Sequence, residues 1–365
     1  MNATVIPVTV GGWEALQLAN DHIEVVVIPA KGAEIWSVTD RRTGVDVLWK
    51  APWALRPHAL STATAGASQT AWLDHYAGGW QVLFPNGGDA VTYRGADLGF
   101  HGEASVAPWT AAVVSQEGRI ELATDLRRSP FRLHRRMELT PGASTLRFTE
   151  TVTNHGTEAL PYMWGHHPAY GSPFLCDGAR LTVPAATYLA DAGNSTPRSR
   201  VAPLVRSPWP HAATLGPSTV DVSLVPSADS GTADMGYILD LTDGWYALES
   251  PATGFGVAVA WPRDVLPCLW LWQEFRGGKD YPWYGRAYVM GVEPHSSWPG
   301  HGLLGAIEAG TARWIEPGAT HEIAVAMTLY ELPSQGIGHV ESVASDGTVR
   351  LRAATSQHKI SSAGA

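Results

Sequence analysis

From Trp13 to Tyr330 the chain repeats one pattern: a short run of alternating or β-branched apolar residues, then a Gly or a Pro. His22–Ile28 is β-branched and stops at Pro29, and Glu34–Asp40 alternates with period two after Gly32. Arg42-Thr43-Gly44 turns the chain into Val45–Trp49. The same signature recurs over 119–126, 131–139, 146–154, 245–249, 256–261, 268–275 and 287–293. Period-two alternation puts one set of side chains on each face of a strand, and Gly and Pro supply the tight turns between strands. A series of this kind specifies antiparallel sheets and leaves almost no room for helices. The exceptions are 50–79, read as a long loop with space for one short helix, and 171–233, read as loop with a few short strands. No repeat of 20–50 residues is evident.

With 365 residues and 45% hydrophobic content the chain can bury a large core, and β-rich sandwiches of this size form single units. We expect one β domain over 1–331. A C-terminal extension over 332–365 follows, with a hairpin at Asp346-Gly347 and a disordered tail. A net charge of -9 argues against nucleic acid. Cys176 and Cys268 are far apart and outside any CxxC spacing, which argues against a disulfide framework or a cysteine zinc site. The N-terminus lacks a basic stretch followed by an apolar one, and no run of about 18 apolar residues occurs. The expectation is a soluble cytoplasmic protein without a membrane partner. Asn194-Ser195-Thr196 fits a glycosylation acceptor but has no secretion signal behind it. The chain holds 16 Trp, a residue that offers a flat apolar face for a sugar ring as readily as it fills a core.

The stretch with most chemical content is Trp164-Gly165-His166-His167-Pro168-Ala169-Tyr170. Two histidines ahead of a proline suit neither a helix nor the middle of a sheet, so His167 is expected at the mouth of a strand, facing a cleft. There it could donate or accept a proton near neutral pH; a hydrogen-bonded core histidine is the plain alternative. His101, between Gly99 and Gly102, is expected on a sharp turn that approaches a ligand. Glu293 closes the 287–293 run just before Pro294, where partial burial would raise its pKa toward that of a useful base. Alternation aligns Trp270, Trp272 and Glu274 on one face. Five arginines between Arg127 and Arg136 could hold a phosphate, although such a run usually forms a solvated sheet face.

These pieces, in this order, resemble the aldose 1-epimerases, the galactose mutarotase-like family. The resemblance is carried by Pro29 and Gly32, Phe100-His101-Gly102, Ser129-Pro130-Phe131, Thr151–Asn154 and His167-Pro168-Ala169-Tyr170. Asp234–Leu239 and Gly291-Val292-Glu293-Pro294 complete it, over roughly Trp13 to Glu331. It implies a large antiparallel β-sandwich, the galactose mutarotase-like supersandwich, and interconversion of the α and β anomers of a free sugar. By resemblance Glu293 would take the C1 hydroxyl proton, His167 would protonate the ring oxygen and His101 would hold an oxygen as charge shifts. Asp234 would hold sugar hydroxyls, and Trp272, Gln273, Asn86 and His166 are further candidates for the substrate-binding wall. No cofactor or metal is implied. The chain departs from the family in lacking an Asn-Arg pair near Pro85–Asp89, in doubling the second histidine, and in its C-terminal hairpin.

Rival readings stay open at this level. A metal-dependent isomerase or lyase on the same sandwich would use His101, His166 or His167, Glu293 and His295 as ligands. A glycosidase would pair Glu274 with Glu293. A carbohydrate-binding protein would keep the pocket without turnover.

Overall fold

The computed structural model describes residues 3–57, 67–114, 118–194, 198–333 and 336–352. Two large sheets with antiparallel ladders face each other. The larger has 12 strands. Across its middle lie Glu34–Asp40, Trp80–Leu83, Gly165–Gly171, Tyr288–His295, Cys268–Phe275 and Thr232–Leu241, in that order. The smaller has 8 strands, and Thr320–Glu331, Thr145–Asn154 and Phe131–Leu139 lie at its centre. The large antiparallel β-sandwich expected from the sequence is therefore the architecture.

Alternation fixes which side faces in. Along Phe131–Leu139 the residues Phe131, Leu133, Arg135, Met137 and Leu139 are buried, while Arg132 and Arg136 are exposed. The core between the sheets gathers Val82, Trp80, Tyr170, Met290, Val292, Leu269 and Leu271 from the larger sheet against Phe148, Leu133, Met137 and Val325 from the smaller. Phe148 bridges the gap, with its ring 5.6 Å from Trp80 and 5.2 Å from His166. The central strands are also covered on the outer side. Every residue of Gly165–Gly171 is buried, as fits a strand roofed on both faces. The outer roof over the middle of the larger sheet includes the helix Ser68–His75, which falls in the 50–79 segment.

One expectation needs correction. The stretch around His166-His167-Pro168 is not a strand mouth but the interior of Gly165–Gly171, a central strand paired on both sides. Pro168 is tolerated because the ladder to Tyr288–His295 is interrupted there: it is made at Gly165 and Ala169 and not between them. Glu293 likewise lies two residues inside its strand, which runs on to His295.

The hairpin Val340–Val343 and Val349–Leu351 forms as the Asp346-Gly347 signal predicts. It packs over Trp245, Ala247, Ala258 and Ala260 on the outer face of the smaller sheet. The tail expected to be disordered lies at 353–365, outside the described residues, as do Ser195 and Thr196. Among the described residues no helix is long and apolar enough to cross a membrane.

Candidate active site

Register assembles the site. Ile35 pairs with Trp80, and His167 pairs with Gln81. Gly165 and Ala169 face His295 and Gly291, which sets His167 level with Glu293, and Glu293 pairs with Trp270. Residues opposite one another on neighbouring antiparallel strands share a face. Glu34, Gln81, His167 and Glu293 therefore form one row straight across four strands, on the face turned away from the smaller sheet. Neighbouring strands are about 4.8 Å apart, so each side chain of the row is within reach of the next.

At the centre, His167 Nε2 lies 3.4 Å from Glu293 Oε1. Both residues are nearly closed off, at 4% and 2% exposure. Burial alone pushes the Glu293 carboxyl well above the usual carboxylate range and drops His167 to about 4. Neither environment tolerates a lone charge, so the pair shares one proton over a wide pH range. The remaining atoms, His167 Nδ1 and Glu293 Oε2, have no partner. Further along the row, Gln81 Nε2 donates to Glu34 Oε2 at 2.8 Å and to the Gly78 carbonyl at 2.6 Å. Lys31 closes an ion pair on the same Glu34 oxygen. Glu34 Oε1 and Gln81 Oε1 are left bare. A buried polar atom without a partner costs about 1–3 kcal/mol, and several at one spot need an explanation.

His101 approaches from a strained turn. Its φ is +59°, a left-handed conformation that few residues other than Gly adopt. The Gly88 N–H donates to His101 Nδ1 at 3.2 Å, so the neutral ring carries its proton on Nε2 and presents a donor. Burial, then His167 and His295, hold it well below the ordinary histidine value. Its ring lies 5.6 Å from that of His167. Behind the pair, His295 stacks on Trp270 at 4.1 Å. Only glycine fits beside it: a Cβ on Gly165 would come within 2.0 Å of the His295 ring.

Aromatic residues close the outer side. Trp72 and Tyr76, on and just after the helix, stack at 4.7 Å. Trp72 lies edge-on to His101 at 4.6 Å and Tyr76 edge-on to His167 at 5.5 Å. Trp272 completes the shell, 5.7 Å from His167 and 5.2 Å from Trp283. A cavity of about 840 Å³ opens beside this shell, lined by Trp72, Tyr76, Phe100, Glu34 and Gln81 and also by Arg127, Arg128 and Arg132. His101, His167 and Glu293 are not on the cavity wall, but Tyr76 and Gln81, which are, both adjoin His167.

The structure thus gathers Glu293, His167, His101 and Trp272 and separates the other candidates from them. His166 faces inward, where its Nδ1 accepts from Trp80 Nε1 at 3.1 Å and its Nε2 lies 3.5 Å from Glu150. Burial works to raise the Glu150 carboxyl, yet Arg135 and then His166 hold it at about 2. Asp234 and Gln273 pair with each other across strands on the opposite face of the sheet from Glu293. Asp234 is occupied by Arg200 Nε at 2.6 Å, the Arg200 N–H at 2.7 Å and Ser199 Oγ at 2.9 Å. Gln273 accepts from Arg200 Nη2 at 2.8 Å. Asn86 is spent on backbone: it donates to the Asp89 and Gly99 carbonyls and accepts from Leu303 N–H. Glu274 takes the Gly278 N–H on both oxygens and so ties down the loop that carries Trp283. Among the described residues no three His, Cys, Asp or Glu side chains gather closely enough to hold a metal ion. Sequence reading missed Glu34, Gln81, Trp72 and Tyr76. The available signal was a lone amide inside the apolar run Trp80–Leu83, which cross-strand pairing places beside His167.

No curated protein matches the chain significantly. Solved structures share its fold. The Slr1438 protein from Synechocystis sp. PCC 6803 is 16% identical, with 90% of this chain and 99% of that one covered and a TM-score of 0.63. A galactose mutarotase related enzyme from Lactobacillus acidophilus is 19% identical over 89% and 99% of the two chains, with a TM-score of 0.59. A galactose mutarotase-like protein from Lactobacillus casei is 17% identical over 87% and 100%, with a TM-score of 0.58. The fold is therefore that of the galactose mutarotase-like proteins. Residues 11–329 match the family described as Domain of unknown function (DUF4432), and the chain belongs to that family.

Proposed function

We propose that this protein is an aldose 1-epimerase, interconverting the anomers of a free sugar with Glu293 and His167 as its acid–base couple. The observation that carries the reading is the isolated Glu293–His167 pair at 3.4 Å, buried and with two polar atoms open. Opening a hemiacetal requires a base at the C1 hydroxyl and an acid at the ring oxygen; reclosing from the other face requires the same two groups with the proton exchanged. A pair that holds one mobile proton in a dry site meets both demands. In the reactive arrangement the proton resides on His167, and the Glu293 carboxylate receives the C1 hydroxyl proton. As the C1–O5 bond breaks, His167 delivers its proton to O5. The C1–C2 bond rotates, and the transfers run backward onto the other face of C1. His101, with its proton on Nε2, donates to the oxygen that gains charge. Each correctly placed acid or base supplies roughly 10²–10⁴-fold. The aromatic shell of Trp72, Tyr76, Trp272 and Trp283 has to part for the ring to reach the couple from the cavity and, closed over the apolar faces of the ring, keeps bulk water from the proton path.

Polarimetry or saturation-transfer NMR of anomer exchange, over free hexoses, pentoses and 6-phosphosugars, tests this. Acceleration with one sugar that disappears in His167→Ala is the expected result. No acceleration with any of them overturns the reading and leaves sugar binding without turnover.

A further inference from the structure

Resting on that reading, we propose that Glu34, Gln81 and Tyr76 form the hydroxyl-recognition subsite of this enzyme. It selects an aldose that presents free, unsubstituted ring hydroxyls next to the reacting carbon. In the resemblance this task falls to Asp234, with Gln273 in the wall. Here both lie on the opposite face of the sheet and are engaged by Arg200. The hydrogen-bonding capacity left open near the acid–base pair belongs to other residues.

Three atoms define the subsite. Glu34 is fully buried, and its Oε2 is taken by Lys31 and Gln81 while Oε1 has no partner. Gln81 is 3% exposed. Both neighbours of its amide nitrogen are acceptors, so the NH2 group faces them and Oε1 is presented bare. Tyr76 is 3% exposed, and its hydroxyl has no partner. Burial, then the charges of Glu293 and Glu34, raise its pKa well above normal, so it remains a donor. All three line the cavity of about 840 Å³, and Gln81 pairs directly with His167. The row thus reads as two acceptors followed by the proton couple.

Two bare acceptors and one neutral donor match a run of ring hydroxyls, each of which both donates and accepts. They match an anion poorly, because a phosphate or carboxylate placed there would face Glu34 and Glu293. Lys31 is paired with Glu34, so of the cations on this cavity wall only Arg127, Arg128 and Arg132 remain for an anion carried elsewhere on the sugar. A site built to bond a hydroxyl rejects the analogue that lacks it more strongly than an apolar pocket rejects a methylene, because its own polar atoms are then left open.

The test is a cycle between enzyme and substrate. D-glucose, D-galactose and L-arabinose are assayed for exchange and for equilibrium binding by tryptophan fluorescence, followed by deoxy analogues of the best of them. Wild type, Gln81→Met and Glu34→Gln are compared, with thermal melts to verify folding. The expected result is a loss of roughly 10–100-fold in kcat/KM for one deoxy analogue with wild type. Gln81→Met shows a similar loss for the parent sugar, carried by KM with kcat and the pH profile retained. That variant no longer distinguishes the parent from the same deoxy analogue. Equal discrimination by wild type and both variants overturns the subsite, even if exchange is catalysed. If wild type binds a sugar but exchanges none, the acid–base reading fails, and the same cycle in binding constants still decides the subsite. If it binds none, the subsite is overturned too.

Discussion

His166 and His167 are neighbours in sequence on opposite faces of one strand. The inner face, toward the smaller sheet, surrounds His166 with Trp80 and the Arg135–Glu150 ion pair. The outer face surrounds His167 with Glu293, Gln81 and aromatic edges, and leaves Glu34 Oε1, Gln81 Oε1, Glu293 Oε2 and Tyr76 Oη without partners. Both histidines are buried, and burial lowers the pKa of both. What separates them is completeness. In the inner network the two atoms without a hydrogen bond, His166 Nε2 and Arg135 Nη2, both face the Glu150 carboxylate, so charge pairing accounts for them and ties the two sheets together. The outer one keeps its capacity open, which costs stability and gives a ligand something to bind.

The sharpest way to break this comparison is Glu293→Gln. Exchange should fall by on the order of 10²–10⁴-fold, while the urea midpoint stays level or rises because an uncompensated carboxyl has left the interior. Undiminished turnover would sink the assignment of the base. Glu150→Gln should do the reverse. Breaking a buried ion pair destabilises by about 3–5 kcal/mol, read as a lower urea midpoint, while the molecules still folded exchange anomers at nearly the original rate. A parallel loss of stability and specific activity would show that the two faces are one coupled unit.

The pH profile sharpens the contrast. His167 is lowered to about 4 and Glu293 is raised well above its usual range, so the couple holds one proton between those limits. The rate should fall as pH drops through about 4, where a second proton joins the pair and no base remains. It should fall again in alkali, where the last proton leaves and no acid remains. An acid limb near the ordinary histidine value of about 6.5 would mean that His167 is not the buried partner described. The smallest effect belongs to neither face. Deleting the chain from Leu332 onward should cost about 2 kcal/mol or more, since it removes Val340 and Val343 from an apolar contact. Light scattering should show self-association through the uncovered Trp245, Ala247 and Ala258, with catalysis intact.

Much of the sheet order was not legible, but the strands were, because alternation is written locally in runs such as Phe131–Leu139. His101, His167 and Glu293 stood out by residue type and neighbours. The position of His167 within its strand was misread: Pro168 looked like a boundary, and the gap in hydrogen bonding that accommodates it depends on a strand more than a hundred residues away. The same distance hid Glu34 and Gln81, which are unremarkable until pairing sets them beside His167. Asp234 was noticed through resemblance; Arg200, which occupies it, gives no local sign of that partnership.

A doubled histidine carries a hazard for folding. A slip of one residue in a strand exchanges its two faces, and here that would turn His166 toward Glu293 and His167 toward Glu150. The near-contact between Gly165 and the His295 ring acts as a key against that error. In the correct register the slot opposite His295 receives a hydrogen atom; in either slipped register it would receive Trp164 or His166, and even a methyl group would lie within 2.0 Å of the ring. Gly165, which has no side chain of its own, therefore determines which of the two histidines lies beside Glu293.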